Sequence, residues 1–312
     1  MIYTLTINPA LDRLIYLERF VRNQTNRPLK TIDSIGGKGT HVSLNLRLLG
    51  EDSKAVVLVG GESGKKLVRM LEEEDVTTVA INSASVAIRT NTIIVENSGD
   101  STIIADKGIS LSREQLDAIL AYFREQLSPE DYLVLSGDAR NGPSDFYADL
   151  ITEFSSKGVK VFLDASGESL RHSLEAGPFL AKPNLDELSQ VCGKGLSTAD
   201  FVGILDALRS LEHFPVTVVA LSLGSSGSIL RVGSEVIRAY APDIQVVNTI
   251  GCGDAYLAGL VYGFKHNLSL EETVILATAI SSATAAHASS VGFDGNLIEG
   301  LKKRVQVERI VL

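Results

Sequence analysis

The run from 112 to 166 decides the fold. It reads SREQLDAILAYFREQL (112–127), DYLVLSG (131–137), SDFYADLITEFSSKG (144–158) and VKVFLDAS (159–166). The first and third segments repeat apolar residues at helical spacing, and Ser112 is placed to cap the first helix. The second and fourth are short apolar runs bounded by polar turns, the pattern of strands buried on both faces. The rhythm continues through a strand end at FLAKPN (179–184), helices at LDELSQVCG (185–193) and TADFVGILDALRSL (198–211), and a strand at PVTVVALSLG (215–224). Two long helices close it, GDAYLAGLVYGFKHN (253–267) and SLEETVILATAISSATAAHA (269–288). Working backwards, IYTLTIN (2–8) and KAVVLVGG (54–61) read as strands, and VSLNLRLLG (42–50) and GKKLVRMLEEEDV (64–76) as helices. The alternation predicts an α/β protein with a mostly parallel sheet covered by helices on both faces. Two segments, about 13–35 and 85–105, break the rhythm with alternating, β-prone residues. They predict a small sheet projecting from a single main domain, with a hairpin turning at 97–100.

Composition narrows the function. The chain has 312 residues, 45% of them hydrophobic, which is ample to bury a core. Its formal charge of −9 argues against nucleic acid as the main partner, because phosphate backbones favour basic faces. A small anion is still compatible, held by a few local Lys and Arg. Cys192 and Cys252 form no disulfide framework and no zinc pattern, so two reduced thiols of a cytoplasmic protein are expected. The N-terminus lacks the basic and apolar regions of a signal peptide. No run reaches the roughly 18–20 apolar residues needed to span a bilayer; 274–288 comes nearest but is threaded with Ser, Thr and His.

Glycine motifs gather at the predicted strand exits, where ligands of open α/β folds bind. In NTIGCGDAYLAGL (248–260), the N–H groups from Gly251 to Asp254 would converge at a helix start as a pocket for an anion, with Asp254 beside it. An anion hole next to a base suits phosphoryl transfer; a plain helix cap is the simpler alternative. SIGGKGTHVSLNL (34–46) sets three glycines and Lys38 before a helix, either a tight turn or a polar ligand site. In AKPNLDEL (181–188), Asn184 and Glu187 stand three apart at a helix start. That spacing makes a capping box or holds a hydrated metal. SLGSSGSIL (222–230) borders a nucleotide or forms a hairpin turn. Arg89 in AIRTNT and Arg27 in TNRPL are either solvated arginines or clamps for phosphate. VGGESGKKL (59–67) is not a nucleotide P-loop: the glycine spacing is one residue short, and Lys66 stands where Ser or Thr should bind magnesium.

Taken together, these motifs resemble the PfkB, or ribokinase-like, family of carbohydrate kinases. GGKGTHVSLNLRLLG (36–50) is similar to its N-terminal signature, NTIGCGDAYLAGL to its C-terminal one, and KPNLDEL (182–188) to its Asn-x-x-Glu motif. NPALD (8–12) and GGKG point to the branch acting on sugar phosphates, which includes 1-phosphofructokinase and tagatose-6-phosphate kinase. The resemblance implies a three-layer α/β/α core with a small β lid, and an ATP- and Mg²⁺-dependent kinase. It implies Asp254 as general base and the Gly251–Cys252–Gly253 turn as anion hole. Asn184 and Glu187 would help place Mg²⁺ and the ATP phosphates, while Lys182, Ser222, Gly224 and Gly227 would lie along the nucleotide. Asp12, Gly37, Lys38 and Gly39 would hold the sugar. Arg89, with Arg27 from the lid, would hold the phosphate already on the substrate. Exposed lid edges would suit a lid-mediated homodimer.

Four departures from that pattern stand out. His41 stands where the family has a sugar-facing Asn, and histidine can donate a hydrogen bond but also titrates near neutrality. Asp138 in SGDARNG (136–142) adds a negative charge near an anion site. Cys252 replaces Ala or Ser, and Asn248-Thr249 mixes two subgroup forms. The base is retained, so activity is expected. The rivals are a 6-phosphofructokinase, a kinase of an unphosphorylated sugar or nucleoside, and a sugar-phosphate sensor that has lost catalysis. A dinucleotide dehydrogenase is disfavoured, since no G-x-G-x-x-G follows the first strand.

Overall fold

A computed structural model describes residues 1–82, 87–108, 110–137, 142–289 and 291–311. Its centre is a ten-stranded sheet. From one edge the order is Gln306–Val311, Glu235–Tyr240, Ser228–Val232, Val218–Ser222, Leu180–Ala181, Lys160–Asp164, Tyr132–Ser136, Ile2–Thr6, Ser53–Val59 and Thr77–Asn82. Neighbours from Val218–Ser222 to Thr77–Asn82 run parallel, and the other pairings are antiparallel. The expected parallel sheet is present, extended at one side by an antiparallel meander.

The central strands are largely apolar because both faces are covered. In Lys160–Asp164, Val161 and Leu163 join one core, whereas Phe162 joins the other. Helices Arg113–Gln126, Phe146–Ser155, Gly167–Glu175, Leu185–Cys192 and Phe201–Ser210 pack on the first face. Lys38–Leu48, Cys252–Lys265, Leu270–Ala285 and Gly295–Lys302 pack on the second. Ser112 forms the expected cap, completed as a capping box by Gln115. The Ala- and Ser-rich run near 274–288 is a core helix, and its small side chains have a purpose. A Cβ at Gly259 would lie 2.6 Å from Ala277 Cα, so two helix backbones touch there. That contact fixes the helix that carries Asp254. Among the described residues, no helix is long and apolar enough to cross a membrane.

A second, four-stranded sheet has the order Lys30–Gly36, Ala10–Leu17, Arg89–Glu96, Ser101–Ile104. The segments expected to project, 13–35 and 85–105, fall on this lid, although residues 85 and 86 lie outside the described residues. The lid strand begins earlier than the sequence suggested, at Ala10, so Asp12 rides on the lid. Two outer strands pair antiparallel with their neighbours, while Ala10–Leu17 and Arg89–Glu96 pair parallel.

Candidate active site

Two helices start at the same place with no side-chain cap. Cys252–Lys265 begins after Gly251, which is left-handed (φ 78°), and Lys38–Leu48 begins after Gly37 (φ 109°). Their first N–H groups receive no side-chain cap, the arrangement that leaves a helix start able to take an anion. Asn248 pins the first turn, its Oδ1 accepting from Ile250 N–H at 2.9 Å and its Nδ2 donating to Ser289 O at 3.0 Å.

Asp254, in the first turn of its helix, is buried, and it does not cap that helix. Its Oδ2 lies 2.8 Å from His41 Nδ1, and His41 Nε2 lies 2.9 Å from Ile35 O. Both ring nitrogens are thus engaged by the protein, and the ring is only 4% exposed. The sequence pointed His41 at the sugar; the structure turns it to Asp254 instead, because the first helix runs alongside the helix of Asp254. Burial alone would push the imidazole pKa down. The hydrogen bond to Asp254 and the charges of Asp254 and Asp12 outweigh it, and His41 is held above its usual range.

Asp12 faces the same space from the lid. It is buried and accepts from Asn91 Nδ2 at 2.8 Å, and burial raises its pKa against the opposing charges of His41 and Arg89. Gly36 is required beside it, since a Cβ there would sit 2.5 Å from Asp12 Oδ1. Arg89, half-buried on the adjacent strand, donates to Asn8 O at 3.2 Å. Arg27 lies on an exposed lid loop, and among the described contacts none ties it to this group. Gly39 has a packing reason of its own: a Cβ would meet Leu5 O at 2.8 Å, where the helix crosses the first strand.

The most buried charge of the site is one that sequence reasoning did not single out. Asp164, at the exit of Lys160–Asp164 and 1% exposed, lies between two lysines. Lys38 Nζ is 3.1 Å from its Oδ1 and Lys182 Nζ 3.4 Å from its Oδ2. Burial would raise its pKa, but Lys182 and Lys38 together hold it below the usual carboxylate range. Asp164 in turn holds Lys38 above the usual lysine range. Glu187 faces the same two lysines, and Asp254 acts on Lys38, so the lysines are balanced by carboxylates. Lys182 adjoins the Gly251–Gly253 turn, since a Cβ at Gly253 would lie 3.6 Å from its Nζ. The available signal was the carboxylate ending the apolar run VFLD, at a strand exit.

Asn184 and Glu187 form the capping box. Asn184 Oδ1 accepts from Glu187 N–H at 2.8 Å, and Glu187 Oε2 accepts from Asn184 N–H at 2.8 Å. This engages one oxygen of each, and Glu187 keeps its other carboxylate oxygen. Burial raises the Glu187 pKa, against the Asn184 N–H and the two nearby lysines. Among the described residues no three His, Cys, Asp or Glu side chains form a metal cage. A hydrated Mg²⁺ needs none, because it keeps several waters and takes one or two carboxylates together with substrate phosphates. The donors present fit that mode.

On the other side of the Gly251–Gly253 turn lies a cleft of about 520 Å³, within the size range of small-molecule sites. Ser222, Gly224 and Gly227 line it, with Thr249, Cys252 and Gly253 closing the end nearest Asp254. The segment 222–230 is the hairpin turn, and it also walls this cleft. Cys252 is a free thiol whose pKa burial pushes up to about 11. The rejected P-loop is a helix start in which Lys66 pairs with Asp33. Asp138 lies outside the described residues.

Comparison with known proteins agrees with this architecture. A family model for pfkB family carbohydrate kinases matches residues 6–292. The chain is 32% identical to 1-phosphofructokinase of Bacillus subtilis, over 99% of this chain and 100% of that protein. It is 29% identical to tagatose-6-phosphate kinase of Staphylococcus epidermidis, over 98% of this chain and 99% of that protein. Among solved structures, phosphofructokinase-2 of Escherichia coli in complex with potassium superimposes with a TM-score of 0.90 at 25% identity, covering 97% of this chain and 98% of that one. A tetrameric inhibited form of phosphofructokinase-2 from the same organism gives 0.88 at 26% identity, with the same coverage.

Proposed function

The chain belongs to the pfkB family of carbohydrate kinases and has its ribokinase-like fold, and from that premise we propose that it transfers the γ-phosphoryl group of ATP to a ketohexose phosphate, giving a bisphosphate and ADP. Fructose 1-phosphate and tagatose 6-phosphate are the two substrates favoured, in keeping with the activities for which the relatives at 32% and 29% identity are named. One observation carries the reading. Asp254 stands at an uncapped helix start between the cleft walled by Ser222, Gly224 and Gly227 and the lid residue Asp12.

In this reading ATP lies along Ser222, Gly224 and Gly227 with its phosphates toward Lys182. The sugar lies against Asp12, Gly37, Lys38 and Gly39, and Arg89, aided by Arg27, clamps its existing phosphate. Asp254 takes the proton from the attacking hydroxyl. The hydroxyl oxygen bonds to the γ-phosphorus, and the bond from that phosphorus to ADP breaks. The N–H groups of Gly251, Cys252 and Gly253, with Lys182, neutralise the charge on the transferred group. Such a reaction asks for positioning and electrostatics more than covalent chemistry, and these residues supply both. Mg²⁺ supplies further neutralisation of the phosphates when bound, and Glu187 and Asn184 would hold it through water. The lid, which leaves Leu29, Ile32, Ile103 and Ile104 exposed, would pair with a second lid in a homodimer.

The test is ADP release from the purified protein with Mg-ATP. The panel is fructose 1-phosphate, fructose 6-phosphate, tagatose 6-phosphate, fructose and ribose. Turnover on one phosphorylated ketose is expected. Turnover on a free sugar would move the assignment to an unphosphorylated substrate, and silence on all with retained sugar-phosphate binding would make the protein a sensor.

A further inference from the structure

We infer that His41 is a positioning residue for Asp254, holding Oδ2 of the carboxylate by a donated proton and acting as an imidazolium during turnover. The inference rests on the kinase reading above, and it begins from the acceptors around the ring. Ile35 O can only accept, so Nε2 carries a proton. Nδ1 faces Asp254 Oδ2 at 2.8 Å, and an ionised carboxylate also only accepts. A neutral imidazole has a single N–H, already committed to Ile35. Its bare Nδ1 lone pair would then oppose a carboxylate lone pair, in a place where His41 is 4% and Asp254 6% exposed. A second ring proton turns that repulsion into a charge-assisted hydrogen bond.

The charges on the neighbouring elements point the same way. Asp254 lies on the facing helix and Asp12 on the lid strand, and both favour the cation. Arg89 stands beside Asp12 and offsets part of its charge. Lys38, on the same helix as His41, is tied to Asp164. The Cys252 thiol near Asp254 remains protonated. Burial works against the cation, and the hydrogen bond with the two carboxylates overcomes it.

A division of labour follows within one carboxylate. Oδ2 is held by His41, which leaves Oδ1 to receive the hydroxyl proton. The hydroxyl electron pair goes to phosphorus, and both ring protons of His41 stay in place. An imidazolium fixes the carboxylate and adds positive charge near the transferred group. The His41 pKa is raised, so the cation is complete below the usual histidine range and is lost as pH climbs through the folded value. Turnover should therefore fall on the alkaline side, as the hold on Asp254 is lost.

Two readouts test this. Imidazole ¹⁵N spectra of the full-length protein at about pH 7.5, above the ordinary histidine pKa, should show one histidine with both nitrogens protonated. H41N should remove that signal, and D254N should lower its midpoint by at least about one pH unit, tenfold in proton affinity. In kinetics, H41N keeps one donor and H41A keeps none. H41A should lose up to about 10²-fold in kcat, the scale of a misplaced reacting group, with KM for the sugar little changed. H41N should lose less, and both should lack the alkaline fall of the wild type. An unprotonated ring nitrogen on His41 at that pH, or the same alkaline fall in H41N, would overturn the proposal. Should the variants not fold, H266N decides: it removes the other histidine that meets a carboxylate, His266 Nε2 being 2.8 Å from Glu51 Oε2, and one doubly protonated ring must remain. Wild-type protein that makes no ADP with any sugar would sink the kinase reading, while the spectrum would still decide the pair.

Discussion

The strand exits and the lid hold similar residue types under opposite conditions. At the strand exits, Asp164, Lys182, His41 and Asp254 are all nearly inaccessible, and each is held by another ionisable group of the site. On the lid, Arg13 pairs with Asp33 with its side chain 50% exposed, and Ile104 is 60% exposed. A buried ion pair that loses one partner leaves a charge with nowhere to go, whereas an exposed pair exchanges its partner for water. Chemistry is therefore fixed where changes propagate. In the proposed reading, substrate choice and assembly sit where changes stay local.

The largest effect should come from the base. If general-base catalysis resides in Asp254, D254N lowers kcat by about 10²- to 10⁴-fold, measured as ADP release at saturating sugar. Next is the buried cluster. D164N removes the carboxylate paired with buried Lys182 and leaves it only Glu187 nearby, which should cost about 3–5 kcal/mol in urea unfolding; Lys38, 43% exposed, can turn to solvent. Asp164 also sets an acid limit. Its folded pKa is depressed, so its contribution is present above the unfolded carboxylate pKa of about 3.9 and is lost as pH falls through the folded value. Stability of the wild type should drop on that limb, and D164N should flatten it. An unchanged limb in D164N would mean that the cluster is not the acid-sensitive element.

The lid should give smaller and more selective responses. Loss of a hydrogen bond to a charged group costs about 1.5–3 kcal/mol, so R89A should raise KM for the phosphorylated ketose about 10- to 100-fold. KM for a free sugar should hold steady, and an equal rise for both would place Arg89 outside the phosphate clamp. The mildest change is I104K on the outer lid strand. Light scattering should show about half the solution mass of the wild type, as lysine on an edge strand blocks lid pairing. Equal masses would remove the lid from the interface.

The contrast between the two regions also explains what is legible in the sequence. Ser112 as a cap, and Asn184 with Glu187 as a capping box or a metal site, are local signals, and both turn out to be capping boxes. The strands are readable because both faces of the sheet are covered and the runs are apolar throughout. His41 and Asp254 are 213 positions apart, and nothing in either neighbourhood announces the other. Asp164 looks like the polar end of a strand because its two lysines come from separate elements. The antiparallel edge strand Gln306–Val311 is obscure for a different reason. It mixes polar and apolar residues at the rim of the sheet, in QVERIV, where only partial burial is required. Helix Gly167–Glu175 is nine residues long, too short for a periodic pattern to stand out.

The most direct measurement compares wild type and D254N in ADP release with Mg-ATP and the ketose phosphate that the panel selects. The wild type should turn over, and D254N should bind the same sugar phosphate with similar affinity while kcat falls by about 10²-fold or more. Equal turnover in the two proteins would contradict the assignment of Asp254 as the base, and with it the account of the site.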